Sequence, residues 1–301
     1  MANIMRPTTF DDVIGQQDVV RRLKINSNGC KISGSVMPHV LIDGPPGLGK
    51  TTISGAIANE LGVEMYTCNA ANFRSIKSIL PYLMGISPRS VLFIDEIHRL
   101  PKLVEEFLYP VMEDFKMTIT VEAAAEEIDI PQFTLVGATT SGGSLSQPFY
   151  DRFTIKEHLN FYTEDELAKL AGLNLEKMGI QINEEDLLEI AKRSKGTPRI
   201  LNARLKWYQN YVLSIGKDSI DDIFETQGID KYGMDVYDRL YIEMLENNRG
   251  NPLGLKSISS LTGIAIETIE NSIEPYLVRE GYVIRTQKGR VLGRVKRKND
   301  E

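Results

Sequence analysis

Gly44-Pro45-Pro46-Gly47-Leu48-Gly49-Lys50-Thr51-Thr52 fits the pattern G-x-x-x-x-G-K-[ST], and its flanks suit it. Residues 39–42 lead in as a strand. Residues 52–61 lead out with Ile53, Ala56, Ile57, Ala58 and Leu61 at helical spacing. In a strand, glycine loop and helix start, backbone N–H groups and the helix dipole converge on one anion, here a nucleotide phosphate. Gly47 belongs to that cradle. Lys50 is expected to reach the β- and γ-phosphates, and the Thr51 hydroxyl, followed by Thr52, to ligate Mg²⁺. The stretch predicts a nucleoside triphosphate site.

The second strong signal is Ser90-Val91-Leu92-Phe93-Ile94-Asp95-Glu96. A continuous apolar run marks a strand buried on both faces of a parallel sheet. It ends in two acids at the carboxyl edge, where open α/β sheets bind ligands. Asp95 is expected to hold Mg²⁺, directly or through water, and Glu96 to polarise an attacking water. His98 has no partner at metal spacing and reads as a packed or hydrogen-bonded residue. Residues 133–138 form another buried strand, ending in Thr139 and Thr140, with Thr140 placed to contact the γ-phosphate or the water.

Around these lie a first helix at 18–25, a short strand at 63–68, and amphipathic helices at 73–84 and 103–115. Residues 117–121 and 128–130 alternate as a hairpin around 122–127, whose tip is acidic. After Asp151-Arg152-Phe153 the character changes to helices at 163–178, 183–194 and 198–215. Thr197 and Pro198 open the last of these. Arg199 follows, a cation opposing the helix dipole unless an anion sits there. Residues 220–227 read as linker or as one more helix. A helix at 234–247, helices at 255–261 and 266–277, and a strand pair at 282–285 and 290–295 turning at Lys288-Gly289 make a winged helix-turn-helix. Its second helix carries Glu267, Glu270 and Glu274, a poor surface for phosphates. Its wing carries Arg285, Lys288 and Arg290, the better candidates for a DNA backbone.

The 301 residues suffice for two or three domains with real cores. Net charge is −6, yet eight basic residues face one acid between 279 and 298, on the wing and beyond it. No apolar run approaches 18 residues and no basic-then-apolar leader opens the chain. Cys30 and Cys68 read as free thiols, so the expected compartment is the cytoplasm.

Together these stretches resemble the RuvB family, bacterial AAA+ ATPases of Holliday-junction branch migration. The similarity runs from Arg6 to about Arg290. It is carried by GPPGLGKTT at 44–52, LFIDEIHRL at 92–100, LYPVMEDF at 108–115, GATT at 137–140, DRF at 151–153, GTPR at 196–199, EPYL at 274–277 and RTQKGR at 285–290. Each is shared more widely, but the set in this order is specific. The resemblance implies an α/β AAA+ P-loop core at 1–157, a small all-α lid at 158–228 and a winged helix at 229–301. It implies a homo-hexameric ring on duplex DNA with ATP between subunits. Met5, Arg6, Glu113, Asp114, Phe115 and Tyr162 would line the nucleotide pocket. Thr140 looks like sensor 1, Arg199 like sensor 2, and Arg152 like an arginine finger acting on the neighbour's ATP. Arg285 and Arg290 match the family's DNA-contacting wing residues.

Ser141 and Tyr150 stand where the family pattern has Arg, and the hairpin is short and acidic. In the family that hairpin docks the junction-binding partner RuvA, so reliance on a RuvA-type protein, and on a junction resolvase, stays open. Two further classes compete with the motor. An ATP-switched DNA-binding initiator or loader can also end in a winged helix, but LYPVMEDF and GTPR favour the motor. A protein-remodelling ATPase wants an aromatic-hydrophobic-Gly pore loop, and none occurs around Phe73.

Overall fold

Three apolar runs set the sheet. Val40–Asp43 (β1), Val91–Asp95 (β3) and Thr134–Thr139 (β6) are buried along nearly their whole length, as central strands covered on both faces must be. Met65–Asn69 (β2) and Ile155–His158 (β7) are the edges, giving the order β2-β3-β6-β1-β7 with every pairing parallel. The computed structural model describes residues 6–121, 124–216 and 219–293. They fall into two compact units. The first carries everything up to Asn160 except Pro45–Gly47, and the second carries Pro45–Gly47 and everything from Phe161 onward.

In the first unit, helices Gln17–Ser33 (α1), Lys50–Leu61 (α2), Ile76–Met84 (α3), Lys102–Glu113 (α4) and Gln147–Asp151 (α5) accompany the sheet. α1 runs eight residues beyond its expected end at Ile25, because Ser27 and Cys30 are buried; it stops at Gly34, which is left-handed. Arg22 of α1 forms a fork with buried Glu157 of β7, its Nε donating at 2.9 Å. The hairpin Lys116–Val121 (β4) and Ala124–Asp129 (β5) pairs further than its sequence suggests. Glu126 faces Ile119 and Glu127 faces Thr118, so both acids belong to a strand rather than to the turn. Glu122 and Ala123 of the expected tip lie outside the described residues.

The second unit opens with four helices, Glu164–Lys177 (α6), Glu184–Lys192 (α7), Pro198–Ser214 (α8) and Ile220–Glu225 (α9). Side chains of Thr163, Asn183, Thr197 and Ser219 cap their starts. The segment at 220–227 is thus a last helix, not linker. Then come Val236–Asn247 (α10), Leu255–Thr262 (α11), Ile266–Thr268 (α12), a π stretch over Ile269–Ile273 and Glu274–Arg279 (α13), followed by the wing Val283–Thr286 (β8) and Gly289–Leu292 (β9). The expected single helix at 266–277 therefore carries a π bulge.

Charged residues join the helical bundle to the winged helix. Lys195 Nζ pairs with Asp238, which is fully buried at the start of α10, and lies 3.4 Å from Asp235. Arg204 donates to the Arg193 and Gly233 carbonyls at 3.3 Å each. No helix among the described residues is long and apolar enough to cross a membrane.

His39, just before β1, is held by both ring nitrogens. Nδ1 accepts from the Leu135 amide at 2.9 Å, which fixes Nε2–H as the donor to Met112 O at 2.9 Å. Burial pushes its pKa below 6.5. A base depressed in the folded state binds fewer protons there than in the unfolded chain, so stability rises with pH up to about 6.5 and falls below it. We expect stability to drop as pH falls below 6.5, this residue contributing at most about 1.4 kcal/mol per pH unit. Denaturant melts of wild type and H39Q across that range measure it; equal slopes would show that His39 does not titrate on unfolding.

Candidate active site

β1 hands the chain to the glycine loop at the carboxyl edge of the sheet. Gly44 has φ +145°, and a Cβ there would lie 2.8 Å from Leu159 O, so only glycine lets the loop leave against the end of β7. Gly49, at φ +99°, is the residue from which α2 starts. Lys50 is buried at that start, its Nζ donating to Gly44 O at 2.7 Å. Thr51 and Thr52 follow, half-buried. The lysine ammonium, helix-start amides, Thr51 hydroxyl and Asp95 carboxylate suit a phosphate chain carrying a hard divalent cation.

Asp95 ends β3, two strands from β1 and hence about 10 Å away across the sheet. Its Oδ1 accepts the Glu96 amide at 3.0 Å. Glu96 is left-handed, φ +51°, an uncommon backbone for a non-glycine residue. Glu96 Oε2 lies 3.5 Å from His98 Nε2, and His98 Nδ1 hydrogen-bonds Thr139 Oγ1 at 2.9 Å. Thr139 Oγ1 also accepts the Ser141 amide at 2.9 Å. This network ties the acid-bearing turn to the end of β6. Thr140, the expected phosphate contact, is half-buried just past the end of β6.

Arg152 lies at the other edge. It precedes β7, whose Ile155 pairs with Val40, the first residue of β1. Its guanidinium stacks over the Tyr109 ring at 4.1 Å, donates through Nη1 to Pro148 O at 2.6 Å, and lies 3.2 Å from Glu113 Oε1. Glu113, Asp114 and Phe115 share this edge, Phe115 packing on His39 and Phe133. One chain therefore keeps these three residues and Arg152 a strand length from its own Lys50. Arg6 is exposed on an arm whose Phe10 is buried and whose Thr8 O accepts from Asn59 of α2 at 2.7 Å. Met5 lies outside the described residues.

In the second unit Arg199 is exposed at the opening of α8, and its amide donates to Gly47 O at 3.3 Å. Tyr162 is buried, its amide donating to Gly196 O at 3.0 Å. On the wing, Lys288 is exposed at the hairpin turn. Glu274 overturns an expectation. It is fully buried rather than part of an acidic helix surface, because both Arg285 and Arg290 fold onto it. Arg294, Lys296, Arg297 and Lys298 of the basic run lie outside the described residues.

Comparison with known families matches three models along the chain. Models described as the Holliday junction DNA helicase RuvB P-loop domain, the RuvB AAA lid domain and the RuvB C-terminal winged helix domain match residues 5–159, 162–235 and 231–295. The chain belongs to the RuvB family. The Holliday junction branch migration complex subunit RuvB of Rhodopirellula baltica is 39% identical over 297 residues, covering 95% of this chain and 81% of that protein. Its counterpart in Campylobacter hominis is 41% identical over 297 residues, covering 96% and 87%. The solved structure of the Thermotoga maritima RuvB Holliday junction branch migration motor superposes with a TM-score of 0.89 at 37% identity, covering 97% of this chain and 96% of that one.

Membership in the RuvB family makes the chain a P-loop ATPase of the AAA+ class. Sequence reading passed over Thr139, Tyr109, and a pair between Asp43 Oδ2 and His158 Nδ1 at 3.1 Å beside the loop. Thr139 lies in GATT and Tyr109 in LYPVMEDF, but their partners, His98 for Thr139, Arg152 for Tyr109 and His158 for Asp43, come from segments distant in sequence. E96Q is expected to bind ATP normally and lose turnover at least a hundred-fold, since Gln cannot polarise water as a carboxylate does. Normal hydrolysis by E96Q would remove Glu96 from the role of base. R152A is expected to abolish turnover and, mixed with wild type, to depress it below the dilution line; mixtures that follow dilution would exclude action across a subunit boundary.

Proposed function

We propose that this chain is an ATP-driven motor for branch migration of Holliday junctions, working as a homo-hexameric ring on duplex DNA. The observation that carries this reading is the split of its machinery between two sheet edges. Lys50, Thr51, Asp95 and Glu96 gather at the carboxyl edge, while Arg152 stands at the amino edge, a strand of about 13 Å away. A finger so placed serves a neighbour's nucleotide, and a closed ring supplies every site with one. Glu113 to Phe115 then face the neighbour's nucleotide together with Arg152.

Within a site, Lys50 and the loop amides would hold the phosphates, and Thr51 and Asp95 would hold Mg²⁺, which would supply charge neutralisation at the phosphoryl oxygens. Glu96 takes the water's proton density, with His98 and Thr139 fixing its direction and Thr140 beside them. The neighbour's Arg152 exchanges Glu113 for phosphate. Glu113 is half exposed, so giving up that pair costs only about 0–1 kcal/mol. Met5, Arg6, Tyr162 and the sensor Arg199 complete the nucleotide pocket. Lys195, adjacent to the GTPR motif, is bolted to Asp238. Movement at Arg199 therefore passes into the winged helix, whose Arg285, Lys288 and Arg290 touch the DNA backbone. Partners of RuvA and resolvase type would meet this complex in the cytoplasm, the first on the β4–β5 hairpin.

Dissociation of a synthetic four-way junction by the purified chain with ATP and Mg²⁺, with and without a RuvA-type protein, tests the reading. Junction unwinding that E96Q abolishes is the expected result. ATP-dependent DNA binding without junction movement under either condition would replace the motor with an ATP-switched initiator or loader.

A further inference from the structure

Three side chains, Tyr241, Arg285 and Arg290, converge on one carboxylate at the root of the wing. Glu274 opens α13 with no exposed surface. Its Oε1 accepts from Tyr241 Oη of α10 at 2.7 Å and from Arg290 Nε at 2.8 Å. Its Oε2 accepts from Arg285 Nε at 2.7 Å and from Arg290 Nη2 at 3.3 Å, with Arg285 Nη2 ion-paired to it at 2.6 Å. The two arginines face each other across the hairpin, Arg285 paired with Arg290 in the β8–β9 register. The Arg290 backbone is pinned as well: its N–H and C=O exchange bonds with Leu253 at 2.8 and 2.9 Å. A Cβ on neighbouring Gly289 would fall 2.4 Å from Leu253 O, so the close approach depends on that glycine.

These bonds use Nε and Nη2 of each guanidinium and leave both Nη1 groups for another acceptor, with half of the Arg285 side chain exposed. Two long cations on a two-stranded ribbon would otherwise sample many rotamers, and ordering each costs conformational entropy when a ligand arrives. A carboxylate shared between them fixes both before DNA is met. We propose that Glu274 is a positioning residue for DNA binding, an acid whose buried carboxylate presets Arg285 and Arg290 as a two-pronged phosphate clamp. This rests on the reading that the wing contacts the DNA backbone.

The acid makes the test sharp, because charge and positioning predict opposite signs. By charge alone, deleting a carboxylate beside a DNA site tightens binding. By positioning, it weakens it. Binding of the full chain to a fluorescent duplex is measured across a salt series for wild type, E274Q, R285A/R290A and the triple variant E274Q/R285A/R290A. We expect R285A/R290A to weaken binding and to lower the salt slope by about 2. E274Q should weaken binding roughly ten-fold, and the triple variant should bind like R285A/R290A. Binding by E274Q that is tighter or unchanged overturns the proposal. So does an equal further loss in the triple variant, which would mean that Glu274 acts only by holding the domain together. Unaltered binding by R285A/R290A removes the wing from the DNA surface, and the proposal falls with that reading rather than by its own fault. Y241F, which removes one hydrogen bond and keeps the carboxylate, should reproduce a smaller part of the E274Q loss that again vanishes without the arginines; a Y241F loss that persists without them counts against the clamp.

Discussion

Parallel pairing of β1 with β6 and β7 is the constraint from which the working geometry follows. In a parallel sheet every strand delivers its C-terminal residues to one edge and draws its N-terminal residues from the other. The register Val40↔Ile155 and Asp43↔His158 therefore sends the glycine loop out at one edge and Arg152 in at the opposite one. No side-chain rotation carries a guanidinium across that distance. In the proposed ring, a chain built this way would contribute half of each of two catalytic sites.

Position within the carboxyl edge depends on finer devices. Glu96 adopts a left-handed backbone, strained for an acid, directly after Asp95. That turn carries the two adjacent acids proposed to serve the cation and the water. The His98–Thr139 bond holds the turn, and because Thr139 also takes the Ser141 amide, the end of β6 moves with it. The same logic appears at the far edge, where buried Glu105 lies 3.3 Å from Tyr109 Oη and Tyr109 in turn carries the Arg152 guanidinium.

The second unit relies on buried charge. Lys195 pairs with fully buried Asp238, so stripping Lys195 would leave a buried carboxylate without its cation, a loss of about 3–5 kcal/mol, whereas Glu274 is shared by two arginines and keeps one if the other is removed. Such pairs add little net stability over apolar packing, but they are specific in geometry and rigid. Surface pairs such as Lys102 with Glu106 are worth about 0–1 kcal/mol at most and position nothing.

Sequence alone determined the P-loop, the acid-tipped strand, the helical bundle and the wing, because each is written in consecutive residues whose periodicity or spacing has one physical solution. It also supplied the family, through eight short motifs in one order. What it could not supply was which face a lone polar residue takes. Glu274 at helical spacing with Glu267 and Glu270 reads as surface, yet the two wing arginines draw it inside. Thr139 and Thr140 are indistinguishable until the pairing of β6 with β1 and β3 decides which one bonds His98. Glu126 and Glu127 read as a turn until β4 pairs with them. Above all, the separation of Arg152 from Lys50 is invisible along the chain. It exists only once strands distant in sequence lie side by side, because hydrogen-bond register, not local propensity, decides which edge of the sheet a residue reaches.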